Sequence, residues 1–368
     1  MTRSHADDQR WMRAALLNAR YGAGRTAPNP SVGCVIIKDN LLIGSGRTAD
    51  GGRPHAETQA LKDAGAAARG ATAYVTLEPC SHHGKTPPCA DALVESGISR
   101  VVVGALDPDA NVSGQGIKRL TAAGIDVETG IEGEAVSHFY RGYFYHRRTG
   151  LPFVTAKIAS TLDGKIALAD GRSKWITGGR TRQFIHLMRA QHDAMLTSSG
   201  TSRADNPSLT ARIDGYDGPQ PLRVMASSQI TLDDDSNFAR TLDQAGVLIL
   251  GTQAPQTLPE GVEHEIIPAD PSGYPDLTIL MQTLGARGIT SVMVEAGGQF
   301  LSSLLKAGLI HQLVWTRSSG VIGGEGRPSL ADLGLGDLSE GRIFKRISST
   351  MIEDDAIETY INSSYLNS

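Results

Sequence analysis

Apolar positions in the first third of the chain follow two alternating spacings. Residues 7–21 repeat apolar side chains every three or four positions, which predicts an amphipathic helix with a capping box between Ser4 and Asp7. Short β-branched runs then alternate with further helical stretches. The predicted strands are 32–37, 41–45, 73–77, 100–105 and 126–129, and the predicted helices are 56–63, 90–96 and 116–123. This alternation predicts a sheet with helices packed on it.

A second pattern of the same kind follows a change of composition. Aromatic and basic residues at 140–151 give way to a Thr-Gly-Leu-Pro sequence, which is typical of a domain boundary. The later predicted strands are 153–160, 194–197, 222–226, 247–250, 291–295 and 312–316, and the later predicted helices are 180–189 and 299–307. A length of 368 residues also favours two domains. We therefore predict an α/β protein with domains 1–149 and 150–368.

The composition excludes several classes of protein. The formal net charge is −4, with mixed signs and no polybasic stretch, which argues against a nucleic-acid binder that works through the phosphate backbone. The first ten residues lack the apolar stretch of a secretory signal, and no apolar run is long enough to cross a bilayer. Three cysteines cannot all pair, which fits a reducing compartment. We expect a cytoplasmic protein without a nucleic-acid or membrane partner.

Three residues of metal-ligating type stand in a pattern with a clear chemical use. His55 belongs to a His-x-Glu triplet, and Cys80 and Cys89 follow at predicted strand-to-helix junctions. One imidazole and two thiolates provide three ligands of a tetrahedral zinc site and leave the fourth position for water. Two residues along a helix rotate a side chain by roughly 200°, so Glu57 is placed to carry the proton of that water instead of binding the metal. The pattern predicts a zinc-dependent deaminase with Glu57 as its catalytic residue.

Other interpretations of these residues remain open. The His-x-Glu triplet could be an ordinary helix start. The two cysteines could be buried core residues, as Cys34 is expected to be, although the prolines beside Cys80 and Cys89 favour rigid loop corners. A closed structural zinc site would need a fourth ligand, for which His82 and His83 are candidates. The usual deaminase signature separates its cysteines by two residues, whereas eight separate them here.

Further polar residues of the first domain are candidates for contact with a heterocyclic substrate. Lys85 lies in the eight-residue insert, and Asn29 stands between two prolines with a side chain suited to base edges. Asp107 and Asn111 follow the predicted strand 100–105, at the carboxyl end where ligands of α/β proteins collect. A solvated loop lysine and a plain turn are the alternatives.

Motifs in both halves resemble one enzyme family. The sequences APNPSVG at 27–33, HAE at 55–57 and TLEPCSHHGKTPPC at 76–89 closely resemble the bifunctional riboflavin-biosynthesis deaminase/reductase. The last block accounts for the eight-residue insert, and the resemblance continues through almost all of the second half. The chain departs from the family at Asp109-Ala110, where Asn-Pro is usual, and at Thr161, where serine is usual. The resemblance implies a cytidine-deaminase-like three-layer domain followed by a dihydrofolate-reductase-like domain.

The resemblance also implies cofactors and further site residues. It implies one zinc ion per chain in the first domain and NADPH in the second. The implied NADPH contacts are Ala159, Trp175, Thr201, Asp205, Ser228, Gly297, Gly298, Gln299, Phe300, Leu301, Ser302 and Ser303. The implied substrate contacts are Ser173, Arg189, Leu209, Arg212 and Glu295, of which the arginines suit a ribose phosphate.

The same residues have simpler interpretations when the family is set aside. Gly297 follows a predicted strand and opens a predicted helix, so it fits either a phosphate site or an ordinary helix-start turn. Trp175 fits the core better than a cofactor stack. The polar stretch from Thr201 to Arg212 could be a surface connection.

The implied function has two steps in succession. The first is hydrolytic deamination of 2,5-diamino-6-(5-phosphoribosylamino)pyrimidin-4(3H)-one, and the second is NADPH-dependent reduction of the ribosyl group to give 5-amino-6-(5-phosphoribitylamino)uracil, in a homo-oligomer. A nucleic-acid-editing deaminase and a non-catalytic, zinc-stabilised binding module are the alternatives. An editing enzyme should present an aromatic channel for strands, but aromatic residues make up 5% of this chain.

Overall fold

The computed structural model describes residues 4–82, 87–108 and 113–366. The chain forms two compact units, Met1–Gly150 (unit 1) and Leu151–Ser368 (unit 2). Lys85 and Asn111, both predicted substrate contacts, lie outside the described residues. Along the described parts of the chain, every helix is too short or too polar to cross a membrane.

Unit 1 is built around a five-stranded sheet. Its strands are β1 (Gly33–Lys38), β2 (Leu41–Arg47), β3 (Thr72–Leu77), β4 (Arg100–Ala105) and β5 (Asp126–Thr129). They lie in the order β2-β1-β3-β4-β5. β1 runs antiparallel to β2 and β3, whereas β3, β4 and β5 are parallel, so the carboxyl ends of β3 and β4 share one edge. The predicted hairpin and the three later strands are confirmed.

Helices cover both faces of this sheet. They are α1 (His5–Tyr21), α2 (Ala56–Ala64), α3 (Cys89–Glu95), α4 (Gln115–Ala122), α5 (Gly133–Phe139) and α6 (Arg141–Thr149). Because successive strand residues point to opposite faces, β1 serves two cores. Cys34 and Ile36 pack with α2, α3 and α4, while Val35 and Ile37 pack with α1 and α5. The predicted three-layer arrangement of unit 1 follows from this alternation.

The two ends of unit 1 differ in how well the sequence predicts them. The capping box of α1 is confirmed, since Ser4 accepts a hydrogen bond from the Asp7 backbone and the Asp7 carboxylate accepts one from the Ser4 backbone. Helices α5 and α6 were not predicted. Six of the nine residues of α6 are half-buried, and its aromatic residues stand consecutively at 143–145, so its sequence does not show apolar residues spaced three or four apart.

Unit 2 contains a nine-stranded sheet and a two-stranded one. Its strands are β6 (Phe153–Ser160), β7 (Lys165–Ala167), β8 (Ala194–Ser198), β9 (Leu222–Ser227), β10 (Val247–Gly251), β11 (Glu263–Ile266), β12 (Ser291–Val294), β13 (Gln312–Arg317), β14 (Arg327–Pro328), β15 (Phe344–Ile352) and β16 (Asp355–Asn362). The large sheet has the order β11-β10-β9-β8-β12-β6-β13-β16-β15, and β7 pairs with β14. In this order, all adjacent strands from β11 to β13 are parallel. β16 runs antiparallel to β13, and β15 runs antiparallel to β16.

Two helical layers pack on the large sheet. The helices of unit 2 are α7 (Gly179–Ala190), α8 (Ser199–Asp205), α9 (Asn237–Arg240), α10 (Leu277–Ala286), α11 (Gly298–Lys306) and α12 (Ser363–Leu366). On β8, Leu196 packs with α10 and α11, whereas the adjacent Met195 packs with α7. The six strands and two helices predicted for this half are confirmed within a few residues. The hairpin of β15 and β16 was missed because β15 is exposed along most of its length and shows no alternation.

A buried histidine should make the stability of unit 2 depend on pH. His311 is 7% exposed, and its Nδ1 accepts a hydrogen bond of 2.9 Å from the Val154 backbone, which requires the neutral ring. Burial lowers the pKa of His311 to about 4, below the value of about 6.5 in an unfolded chain. The unfolded state therefore binds more protons between these values, and stability falls as the pH drops from about 6.5 to about 4.

We expect this histidine to account for up to about 3 kcal/mol of the free energy of unfolding, from a pKa difference of about 2.5 units. Thermal unfolding of unit 2 between pH 7 and pH 4.5 measures the loss. His311→Asn offers an amide oxygen at the position of Nδ1 to the Val154 backbone but does not titrate, so its unfolding midpoint should change less over this range. Equal pH dependence in the variant and the natural chain would contradict the assignment.

Candidate active sites

The three predicted zinc ligands come together in unit 1. His55 directly precedes α2, Cys80 follows β3, and Cys89 is the first residue of α3. Their ligand atoms all lie within 4.8 Å of one another, and His55 Nδ1 is 3.2 Å from the Cys89 sulfur and 3.7 Å from the Cys80 sulfur. A tetrahedral zinc ion with bonds of about 2.0–2.3 Å needs its ligand atoms about 3.4–3.8 Å apart. The residues therefore fit a zinc ion.

The surroundings of these ligands favour an open metal site. Among the described residues the cluster holds three ligands, and His82 is not one of them, while His83 lies outside those residues. Cys34 is completely buried within the sheet core, as expected. Cys80 behaves differently, because a hydrogen bond from Cys89 lowers the pKa of the Cys80 thiol to about 4 despite its burial. A readily formed thiolate is the form that binds metal.

Glu57 lies beside this cluster. It is in the first turn of α2, is 3% exposed, and is close enough to Cys89 to accept a hydrogen bond from the thiol. Burial raises the pKa of the Glu57 carboxyl to about 7. A buried carboxyl next to the ligands can take or give a proton at their open side.

Asn29 and Asp107 stand in two loops that are hydrogen-bonded to the segments before His55 and Cys80. The Asn29 amide donates to the Gly52 carbonyl at 2.9 Å, which joins its loop to the segment before His55. Asp107 follows β4, is 8% exposed, and accepts a hydrogen bond of 3.1 Å from the Tyr143 hydroxyl of α6. Burial also raises the pKa of Asp107.

Glu78 and Tyr143 are the residues of this unit that the sequence analysis missed. Glu78 stands two residues before Cys80 and accepts a hydrogen bond from the Asp107 backbone. Its position directly before Pro79-Cys80 was a signal, but nothing in the pattern distinguished it from a surface charge. Tyr143 gave no signal because α6 itself was not predicted.

The candidate site of unit 2 is a cavity of about 590 Å³. It opens where β6, β8 and β12 end, at the carboxyl edge of parallel strands, which is where α/β proteins bind ligands. Eleven of the predicted contacts line it: Ala159, Ser173, Trp175, Arg189, Thr201, Asp205, Leu209, Arg212, Glu295, Gly297 and Leu301.

The remaining predicted NADPH contacts do not line this cavity. They are Ser228, Gly298, Gln299, Phe300, Ser302 and Ser303. Phe300 packs against the apolar core, and Ser302 exchanges hydrogen bonds with the Ala331 backbone. Gly298 has a steric role, because a Cβ there would come within 2.9 Å of the Pro328 carbonyl oxygen.

Charged side chains meet at the floor of the cavity. Arg189 donates to both oxygens of Glu295, at 2.6 and 3.0 Å, and the Lys157 ammonium lies 3.5 Å from the same carboxylate. Although burial opposes ionisation, Arg189 and Lys157 lower the pKa of Glu295 to about 2. Burial together with Arg189 and Arg212 lowers the pKa of His186 to about 4, so this ring is neutral at pH 7. Lys157, Arg189, Arg212 and Glu295 together leave an excess of positive charge, which suits a phosphorylated ligand.

The loop that carries Leu209 and Arg212 is held by residues the sequence analysis did not identify. Gln220 makes two hydrogen bonds to the Ala211 backbone, at 2.7 and 2.9 Å. The fully buried Arg223 donates to the Ser208 carbonyl. With its backbone fixed in this way, the loop presents both side chains to the cavity with little freedom.

Two expectations for this unit are wrong. Trp175 is 69% exposed, because it stands in the connection between β7 and α7, and the Arg182 guanidinium lies 4.4 Å from its ring centre. The stretch from Thr201 to Arg212 is not all loop, since Thr201 and Asp205 belong to α8. The Thr201 hydroxyl accepts a hydrogen bond from the Gly297 backbone at 3.0 Å, which explains why the two residues share the cavity wall.

Comparisons with known proteins agree with the division into two domains. Residues 152–356 match the RibD C-terminal domain, and residues 5–105 match the cytidine and deoxycytidylate deaminase zinc-binding region. The riboflavin biosynthesis protein RibD of Escherichia coli is 40% identical over 358 residues, covering 92% of this chain and 95% of the relative. That of Haemophilus influenzae is 36% identical over 361 residues, covering 95% and 96%.

Solved structures give the same result. Acinetobacter baumannii RibD superposes with a TM-score of 0.87 at 36% identity, over 98% of this chain and 100% of the other. The Thermotoga maritima diaminohydroxyphosphoribosylaminopyrimidine deaminase/5-amino-6-(5-phosphoribosylamino)uracil reductase does so with a TM-score of 0.87 at 34% identity, over 97% and 99%. The predicted pair of deaminase-like and dihydrofolate-reductase-like folds is confirmed. The chain therefore belongs to the RibD family of bifunctional riboflavin-biosynthesis enzymes, which join a deaminase domain to a reductase domain.

Proposed function

We propose that unit 1 deaminates 2,5-diamino-6-(5-phosphoribosylamino)pyrimidin-4(3H)-one with a zinc ion held by His55, Cys80 and Cys89. The observation that carries this proposal is the meeting of one imidazole and two thiols beside a buried carboxyl. A bound zinc ion would supply an activated water molecule at neutral pH. Glu57 takes one proton from the attacking water and gives it to a ring nitrogen, and it then passes the proton of the newly added hydroxyl group to the leaving amino group, so that oxygen replaces the amine and ammonia departs.

Substrate orientation in unit 1 is assigned to residues of the surrounding loops. Of the four predicted substrate contacts, Asn29 and Asp107 lie within the described residues. Lys85 and Asn111 do not, and they remain predictions. Asn29 is joined to the segment before His55, and Asp107 is held by Tyr143, so both have a defined direction of approach. Fixed polar groups of this kind orient a small ring without a cost in ordering at the moment of binding.

For unit 2 we propose reduction of the deaminated product at its ribosyl carbon. Bound NADPH would supply the hydride. Ala159, Thr201, Asp205 and Gly297 line the side of the cavity assigned to the cofactor, and Trp175 offers an exposed ring there. Ser173, Leu209, Arg212 and the Arg189–Glu295 pair hold the substrate, with the excess positive charge meeting its phosphate. The homo-oligomer stays a prediction.

One assay tests the two activities together. The diaminopyrimidinone phosphoriboside and NADPH are supplied, and ammonia release and NADPH absorbance are followed at the same time. Both signals should appear, with ammonia first. Ammonia without NADPH consumption would remove the proposed role of unit 2, and the absence of ammonia would remove that of unit 1.

The zinc ligands have their own test. Cys89→Ala removes a thiol from the cluster, so we expect zinc content to fall from about one per chain to well below that, together with loss of ammonia release. Cys34→Ala is the matched control, because Cys34 is a buried cysteine outside the ligand cluster. Equal zinc content in the two variants, measured by elemental analysis of purified protein, would reject these ligands.

A further inference from the structure

Glu78 uses its carboxylate to hold a neighbouring segment of the chain. It is 5% exposed, and its oxygens accept hydrogen bonds from the backbone of Asp107 at 3.3 Å, Gly114 at 3.0 Å and Gly116 at 2.9 Å. One donor follows β4, and the other two stand at the start of α4. The carboxylate thus joins Asp107 to the start of α4.

The charge of Glu78 is matched by what surrounds it. Gly114 precedes α4 and Gly116 lies in its first turn, so their amide groups belong to the positive end of the helix dipole. Gly116 also lies directly against Pro79, the residue after Glu78, since a Cβ at position 116 would come within 2.0 Å of the Pro79 carbonyl oxygen. The start of α4 is therefore docked on the sequence Glu78-Pro79-Cys80.

This contact joins two parts of the deaminase site. Cys80, two residues beyond Glu78, is a proposed zinc ligand, and Asp107 is a proposed substrate contact. The Asp107 side chain accepts a hydrogen bond from Tyr143, and its backbone donates one to Glu78. A shift of Asp107 away from Glu78 would change its position relative to Cys80.

We propose that Glu78 is a positioning residue for deamination, which acts by tying the turn that carries Cys80 to the segment that carries Asp107. This inference rests on the proposed function of unit 1. Glu78→Gln keeps the shape of the side chain but replaces one accepting oxygen with an amide nitrogen. At least one of the hydrogen bonds from the backbone of Asp107, Gly114 or Gly116 is therefore lost. The KM of the deamination step should rise about tenfold. Zinc content and reduction of pre-deaminated substrate should stay unchanged.

A double-mutant cycle separates positioning from general stability. If Glu78 acts through Asp107, then Glu78→Gln should raise KM in the natural chain but have little further effect in an Asp107→Ala background. Asp8→Asn is the matched control. Asp8 is also a buried carboxylate of unit 1, but it lies in α1 on the other face of the sheet, where it accepts hydrogen bonds from Arg100. It should lower the unfolding temperature and leave KM unchanged.

The outcomes are distinguishable. Additive effects of Glu78→Gln and Asp107→Ala, or a KM in Glu78→Gln equal to that of Asp8→Asn, would overturn the positioning role while the deaminase assignment stands. Failure of the natural chain to release ammonia would instead overturn the proposed function. Loss of zinc from a folded Glu78→Gln protein would also overturn the proposal. If Glu78→Gln fails to fold in unit 1, Glu78→Asp takes its place in the cycle, since it keeps the charge and shortens the reach.

Discussion

Replacing Glu57 with glutamine should lower the rate of ammonia release by about 10³-fold, because glutamine keeps the shape of the side chain but cannot carry a proton. Positioned general acid–base groups contribute about 10²- to 10⁴-fold. We expect the middle of this range and not its lower end, since Glu57 is 3% exposed and bulk water has little access to replace it. The measurement is ammonia release at saturating substrate.

Two controls make the Glu57→Gln result specific. Zinc content should match that of the natural chain, because His55, Cys80 and Cys89 are untouched. NADPH consumption with pre-deaminated substrate should also be unchanged, because Glu57 belongs to unit 1. Ammonia release within a few fold of the natural rate would exclude Glu57 as the proton carrier.

Replacing Glu295 with glutamine should have the corresponding effect on unit 2. The Glu295 side chain is 12% exposed and forms a two-bond ion pair with Arg189, whose side chain is 11% exposed. Removing one partner of a buried pair leaves an uncompensated charge and costs about 3 kcal/mol. We expect unit 2 to unfold at lower temperature and the kcat/KM of reduction to fall by at least about 10²-fold.

A milder variant separates the charge of this pair from its geometry. Arg189→Lys keeps the positive charge but loses the fork that meets both carboxylate oxygens, so its loss of reductase activity should be smaller than that of Glu295→Gln. Ammonia release should be normal in both variants, as the pair lies in unit 2. Normal reduction by Glu295→Gln would show that this carboxylate is not part of the site.

The zinc cluster could be predicted because histidine and cysteine are the residue types that bind zinc. Imidazole and thiol groups at strand-to-helix junctions have few uses in combination, and the alternation of strands and helices places such junctions at one edge of a sheet. The structure brings together the same three residues that the sequence pattern predicts, His55, Cys80 and Cys89. The same reasoning does not identify Glu78 or Tyr143, because carboxylates and tyrosines are common in any sequence. Their roles depend on hydrogen bonds between elements that are distant along the chain.

The wrong expectations have similar causes. When the family is set aside, the large ring of Trp175 favours a core position, yet the residue lies in the connection between β7 and α7, contacts the Arg182 guanidinium and is 69% exposed, which the local sequence pattern does not reveal. Strand β15 exposes most of its residues, and the aromatic residues of α6 are consecutive, so neither shows the periodicity by which strands and helices are identified. Ion pairs such as Arg189–Glu295 join residues over a hundred positions apart, which composition and spacing do not connect.

We propose that one chain carries two independent catalytic sites that work in succession. The most direct test mixes equal amounts of Glu57→Gln and Glu295→Gln protein, supplies the diaminopyrimidinone phosphoriboside and follows NADPH absorbance. Neither variant alone should consume NADPH at an appreciable rate, whereas the mixture should do so after ammonia has been released. A mixture that releases ammonia but leaves NADPH untouched, although Glu57→Gln alone reduces pre-deaminated substrate, would contradict the account.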